Sequence, residues 1–248
     1  VSDWPEGYAL QHFEEIDSTN EEARRVAANG GKGPLWITAD RQTAGRGRRG
    51  RTWQSPLGNL AATLLIDPGK PAAECAQLSF VAALAASDMI ASAAPRVDIR
   101  VKWPNDVLAE GRKIAGILLE SASTGAAPPQ WLAIGIGINL KHFPPDTEFP
   151  ATSLVAIGAA PPMPREALAA LASAFAKWYE VWAMRGFAPI REAWLARAAG
   201  LGARIVARLS NGEATGVFEG LDETGALILR EAHGRTRVIA AGEIFFAS

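Results

Sequence analysis

Gly45-Arg46-Gly47-Arg48-Arg49-Gly50-Arg51 comes after an apolar run, Pro34 to Ala39, that reads as a strand. Its glycines match the dinucleotide-binding pattern G-x-G-x-x-G, which requires a helix to open directly behind it. The next residues, Arg51-Thr52-Trp53-Gln54-Ser55-Pro56-Leu57-Gly58, read as loop, so the stretch argues against a doubly wound nucleotide fold. Glycine lets a backbone approach an anion closely, and guanidinium forks bind phosphate or carboxylate in two-pronged fashion. A chain of formal net charge −1 has no general need for four clustered arginines, so the run points to a compact, highly charged ligand. By itself it also fits a short RNA-binding segment or a solvated loop. Its neighbours shift the balance: Gln42 offers an amide to a neutral polar group, and Trp53 a stacking or covering plane.

The whole chain is an ordinary soluble composition. At 248 residues it has room for one large domain and a small one, with 48% hydrophobic and 21% charged residues. Its near-zero net charge argues against gripping long nucleic acid over a broad face. The lone cysteine, Cys75, excludes an intramolecular disulfide and reads as a buried thiol suited to a reducing compartment. Val1 to Leu10 has no basic flank leading into an apolar core, so no secretory signal is expected. The alanine-rich stretch Leu78 to Ala94, broken by Ser79, Ser87, Asp88 and Ser92, reads as a packed helix rather than a membrane span. A cytoplasmic protein is expected.

On either side of the arginine-glycine run, local patterns predict the elements. Ser18 or Thr19 caps a helix, with Glu21 or Glu22 closing a capping box and Asn29-Gly30-Gly31 stopping it. Asn59 to Ile66 reads as a strand and Pro71 to Ala94 as a long helix. Val97–Trp103, Lys113–Ser121 and Trp131–Leu140 read as strands, the last two joined by an exposed loop from Ala122 to Gln130. After a proline-rich connection, apolar spacing predicts helices over Arg165–Met184 and Pro189–Ala199. Beyond Gly200-Leu201-Gly202, five short runs separated by Asn211-Gly212, Asp222–Gly225 and His233-Gly234 read as a meander closing into a small β-barrel.

Three further stretches carry candidate chemistry. Lys102-Trp103-Pro104-Asn105-Asp106 places a lysine, an amide and a carboxylate at a strand's carboxyl end, although Asn105-Asp106 alone could be a plain turn. In Lys113-Ile114-Ala115-Gly116-Ile117-Leu118-Leu119-Glu120 a lysine opens an apolar strand, as edge protection or as a deliberate point charge. Ile134-Gly135-Ile136-Gly137-Ile138-Asn139 alternates, so three isoleucines share one face while Gly135, Gly137 and Asn139 form a bare floor on the other.

Taken in order, Ser18-Thr19-Asn20, Gln42 with the Arg-Gly run, and these three stretches resemble the biotin protein ligases, strongly from Ser18 to about Leu140. The resemblance implies an α/β (α+β) fold. Residues 1–200 would be a class II synthetase-like catalytic domain with a central mixed sheet and flanking helices, and 201–248 a small β-barrel. It implies activation of biotin by ATP to biotinyl-5'-AMP and transfer to a lysine of a biotin carboxyl carrier domain. With only about 17 residues before Ser18, it points to the type without an N-terminal DNA-binding domain. Either a monomer or a homodimer fits.

By motif match, Lys113, Arg46 and Arg48 are the catalytic candidates, with Asp106 orienting Lys113 or the incoming lysine. Biotin is expected against Ser18, Thr19, Asn20, Gln42, Gly45, Arg46, Gly47, Arg48, Lys113, Gly116, Ile117, Leu118 and Gly135. ATP is expected against Arg46, Arg48, Arg49, Arg51, Trp53, Lys102, Asn105 and Asn139, with Mg²⁺ whose ligands no spacing reveals. The Arg-Gly loop is expected to be mobile when empty and to order over the adenylate, keeping water from the mixed anhydride. A lipoate–protein ligase shares the fold and the acyl-adenylate logic, and an RNA-binding module is a third reading. The latter leaves Lys113 and the glycine strand unexplained.

Overall fold

The computed structural model describes residues 4–122 and 128–246. The central part of the loop expected between Ala122 and Gln130 therefore lies outside the described residues. Seven strands form one sheet in the order β1-β2-β3-β7-β6-β5-β4. They are β1 (Ala9–Ile16), β2 (Leu35–Gln42), β3 (Leu60–Ile66), β4 (Ile99–Lys102), β5 (Asp106–Ala109), β6 (Arg112–Ala122) and β7 (Trp131–Ile138). Helix α1 (Thr19–Ala28) links β1 to β2, which are parallel, as a crossover requires; all other pairs are antiparallel.

Two of these strands go beyond the sequence-based expectation. β1 is an edge strand with mostly exposed side chains, so it lacks the apolar run that marks a strand. β5 is only four residues long and comes directly after Pro104-Asn105, a context that reads as a turn. The long predicted helix is divided into α2 (Ala72–Cys75) and α3 (Leu78–Ala93). Helices α4 (Pro164–Arg185) and α5 (Phe187–Leu195) come after the sheet.

Ile134, Ile136 and Ile138 are buried in the core beneath α3, which in turn packs on α4. Each fully buried isoleucine contributes about 1.5–3 kcal/mol, which fixes the face that β7 presents. On the opposite face α1 covers Ile37, Leu65 and Ala133, reaches Gly135 with Asn20, and stops short of Gly137. A shallow space is left there, in front of the α1 N-terminus. The most apolar window of Ala72–Ala93 is 67% buried inside the fold.

The C-terminal strands β8 (Arg204–Leu209), β9 (Gly212–Leu221), β10 (Leu227–Arg230), β11 (Thr236–Ile239) and β12 (Glu243–Phe246) form a second, antiparallel sheet in the order β11-β10-β9-β8-β12. β11 and β12 are its two edges, so it is not the closed barrel expected. It is nevertheless rolled. Edges of a flat five-stranded sheet lie about 19 Å apart, whereas the link from Ile239 to Glu243 reaches only about 14 Å. The two sheets share one buried cluster. Trp103 Nε1 donates to Gly225 O at 3.1 Å, and Gly225 lies against Phe80 so closely that a Cβ there would come within 2.7 Å of its ring.

Candidate functional site

The antiparallel register lines up Lys102, Asp106, Gly116, Gly137 and Ala61 across β4, β5, β6, β7 and β3. Directly opposed residues share a face, so this row runs from two charged side chains to a floor of small ones. Above it opens a cavity of about 410 Å³, walled by the α1 N-terminus, the Arg-Gly loop and the segment 144–151.

At one end the α1 N-terminus carries the polar groups. Ser18 caps the helix, accepting from Glu21 N at 3.5 Å. The expected capping box does not form: the Glu21 carboxylate is drawn to Arg24 and Arg46, and Ser18 N donates to Asp17 Oδ1 instead. Thr19 directs its N–H (2.8 Å) and its hydroxyl (3.0 Å) at Gln42 Oε1, while Gln42 Nε2 donates to Ser55 Oγ. Beneath them Thr63, fully buried in β3, lies 2.8 Å from Thr19 Oγ1 and 2.6 Å from Asn20 Oδ1. Two hydroxyl protons thus serve three oxygen–oxygen contacts, which makes this end rich in acceptors. Thr63 is silent in the sequence because a threonine within an apolar strand carries no motif.

The Arg-Gly loop is folded back on itself: Arg46 and Thr52 form a β-bridge, and Trp53 N donates to Gly45 O at 2.9 Å. Gly45 therefore closes the neck of the loop and, unlike the other predicted glycines, does not line the cavity. Arg46 pairs with Glu21 and, at 3.5 Å, with Glu120. Arg48 donates to Asn105 Oδ1 (3.1 Å) and Gly242 O (3.4 Å), and burial lowers its pKa from the ordinary value. Arg51 makes a two-pronged contact with Glu243, 2.7 Å on each arm, which lowers that carboxyl's pKa. Arg49, in left-handed backbone at φ 56°, makes no ion pair among the described residues and lines the cavity.

Lys113 reaches the cavity through an irregularity. Simple alternation would put it on the buried face with Ala115 and Ile117, opposite Gly116. Between Val107↔Ala115 and Leu108↔Lys113, however, the β5–β6 register shifts by one residue at Ile114. Such a bulge turns the side chain before it to the other face. Its freed backbone groups pair with the segment 150–152, since Lys113 N donates to Pro150 O and Thr152 N to Lys113 O, both at 2.8 Å. Lys113 Nζ then lies 2.6 Å from Asp106 Oδ1 and 5.7 Å from the centre of the Trp53 ring.

Several expected contacts are placed differently. Lys102, read as an ATP contact, is 1% exposed and does not line the cavity; the pleat that puts Asp106 opposite it leaves Lys102 behind that carboxylate. The glycine floor, expected under a ligand, carries protein groups: a Cβ on Gly137 would overlap the Trp53 indole, and one on Gly135 the Asn20 amide. Asn105 lines the wall but spends its amide within the fold, accepting from Arg48 and donating to Ile117 O at 2.6 Å. Asn139 lines it too and donates to Thr152 O at 3.0 Å. The remaining predicted residues, Ser18 through Leu118 and Gly135, all border the cavity. Sequence reading misses Glu148 and Phe149, hidden in a proline-rich connection, and Gly242 and Glu243, which only the rolled second sheet brings to the wall.

An acceptor-rich pocket that leads to ammonium and guanidinium groups, all on the open face of a mixed sheet, suits a ligase that handles two anionic substrates together. Comparison with known proteins agrees. Residues 13–139 match the biotin/lipoate A/B protein ligase family and residues 200–247 the biotin protein ligase C terminal domain. The chain belongs to this family. It is 49% identical to a biotin–[acetyl-CoA-carboxylase] ligase of Paracoccus denitrificans, over 93% of this chain and 97% of that protein. It is 33% identical to the bifunctional ligase/repressor BirA of Bacillus subtilis, over 95% of this chain and 73% of that protein. Among solved structures, the biotin protein ligase of Aquifex aeolicus in complex with biotin and ATP superposes with a TM-score of 0.83 at 28% identity, covering 96% of this chain and 98% of that one.

Proposed function

We propose that the chain activates biotin with ATP and transfers it to a lysine of a biotin carboxyl carrier domain. A biotin carboxylate oxygen attacks the α-phosphorus, the bond to pyrophosphate breaks, and biotinyl-5'-AMP forms. The carrier lysine's amine then attacks the acyl carbon, releasing AMP and a proton. The first step brings two anions together, so it needs cations positioned beforehand. Lys113, turned into the cavity beside Arg48 and held by Asp106, is suited to stabilise charge at the carboxylate and α-phosphate in both steps. Arg46 and Arg48 would hold the acyl-phosphate region, and Arg49 and Arg51 the outer phosphates.

The observation that carries biotin over lipoate is the acceptor-rich end where Thr19, Gln42 and Asn20 line the cavity above the buried Thr63. A cyclic urea brings N–H donors to match it, whereas a dithiolane ring brings none. Among the described residues no group of three or more His, Cys, Asp or Glu is arranged to hold a metal. The Mg²⁺ that accompanies ATP would therefore take most of its oxygens from phosphates and water. A cytoplasmic location suits a reaction that consumes ATP and modifies a carboxylase subunit. The names of the Paracoccus relative and the Aquifex structure support the biotin reading.

The test is exchange of labelled pyrophosphate into ATP with biotin, with lipoate and with neither. Exchange with biotin alone is expected. Exchange with lipoate alone would move the chain to the sister activity, and retention on RNA without exchange would favour a binding module.

A further inference from the structure

Lys102 is a charged group that this chemistry leaves unused. It ends β4 and is 1% exposed. An isolated ammonium is strongly disfavoured in such a place, so its neighbours must compensate. Three do so. Phe149, from the segment that also pairs with the Lys113 backbone, has its ring centre 4.2 Å from Lys102 Nζ. Phe245, on β12 of the C-terminal sheet, has its ring centre at 5.6 Å. Asp106 Oδ2 lies at 3.6 Å. The other oxygen of Asp106, Oδ1, faces Lys113 Nζ at 2.6 Å. One carboxylate therefore turns one oxygen to each of two ammonium groups. Desolvation lowers the Lys102 pKa and Lys113 adds to that, while Asp106 and Glu243 oppose it.

The torsion that rotates a carboxylate about its own bond is broad, so one ionic contact does not orient it. We propose that Lys102 is a positioning residue: it pins Oδ2 of Asp106, so that Oδ1 holds Lys113 over Gly116, and Phe245 lets the C-terminal sheet set that geometry. The inference rests on the ligase reading above. In this arrangement Lys102 touches neither substrate, and removing its charge affects the reacting step rather than binding.

The test uses the full chain and compares Lys102→Met, Lys102→Arg and Phe245→Leu in biotin-dependent pyrophosphate exchange, with biotin affinity measured separately by calorimetry. Lys102→Met is expected to lower kcat by about tenfold to a hundredfold, the range for a misplaced catalytic group. Its KM for ATP and its Kd for biotin should stay within about threefold of the parent's, as for a group not used in ground-state binding. An intact biotin Kd also certifies the fold. Lys102→Arg keeps the charge, stacks on aromatic rings and should recover much of the kcat. Phe245→Leu should reproduce part of the loss from the far side of the cage. A raised KM for ATP with kcat preserved would make Lys102 a direct phosphate ligand and overturn the proposal. Equal losses in the Met and Arg variants would assign the effect to packing and overturn it as well. Failure of the ligase reading would show differently, as a parent protein without biotin-dependent exchange.

Discussion

Lys113 faces the cavity because Ile114 is accommodated in β6 without a matching residue on β5. If its ammonium serves the transition state as proposed, replacing Lys113 by Ala should abolish pyrophosphate exchange while leaving biotin affinity nearly intact; unchanged turnover would remove it from the mechanism. The two floor glycines lie against different side chains, Gly135 against the Asn20 amide and Gly137 against the Trp53 indole. Over-packing costs about 1–3 kcal/mol, which toward its lower end is about tenfold in affinity. Gly135→Ala pushes the Asn20 amide and should weaken biotin about tenfold with ATP little changed; Gly137→Ala displaces Trp53 and should do the reverse. Calorimetric titration of each variant with biotin and with ATP separates the two; identical effects on both ligands would refute the division. At the approach to α1, the two-pronged Arg25 contact holds the Asp17 carboxyl at about 2, below its ordinary 3.8. A depressed carboxyl contributes stability above its unfolded value and loses it as pH falls through the folded one. Asp17→Asn should therefore lower Tm at pH 7 but hardly at pH 2, with the gap closing between about 4 and 2. Asp17 is half exposed, so the neutral-pH effect is limited to about 1 kcal/mol.

The Arg-Gly loop is an element whose conformation depends on partners from elsewhere in the chain. Arg46 is tied to α1 through Glu21, Arg48 to Asn105 and Gly242, and Arg51 to Glu243. These contacts hold guanidinium groups around the cavity before any phosphate arrives, so less must be ordered on binding. Arg48→Gly removes one closing contact and adds backbone freedom, and it should release the adenylate faster. Trapping biotinyl-5'-AMP and timing its escape would show this; an adenylate retained as long as in the parent would remove the loop as a cover. The segment 144–152 is the second such element. It carries Glu148 toward Arg51 and Arg208, and lends its backbone to the bulge that aims Lys113.

Across the whole molecule, one buried cluster passes from the seven-stranded sheet into the C-terminal one. The Trp103 indole spans the junction, bonded to Gly225 O. Trp103→Phe would strand that buried carbonyl at a cost of about 1–3 kcal/mol. For a chain of this size each kcal/mol moves Tm by about 2–4 °C. Calorimetry should show one transition, shifted down by several degrees; two resolved transitions would show that the sheets unfold independently.

Much of this arrangement is written locally. Ser18 caps its helix, Ile134 to Asn139 alternates as a strand must, and a hairpin turns at Ser210-Asn211, one residue before the Asn211-Gly212 expected, because side-chain period and turn chemistry act over a few residues. The sequence by itself therefore determined the helices, most strands, the family and somewhat more than half of the cavity wall. Edge strand β1 and the four-residue β5 stayed hidden, since the first buries no apolar run and the second is too short to show a period. Only the tertiary structure decided that Lys113 points into the cavity, that Lys102 lies behind Asp106, and that Glu243 closes on Arg51. Those outcomes depend on register between strands and on how one sheet rolls against another, and such pairings join residues that share no local pattern.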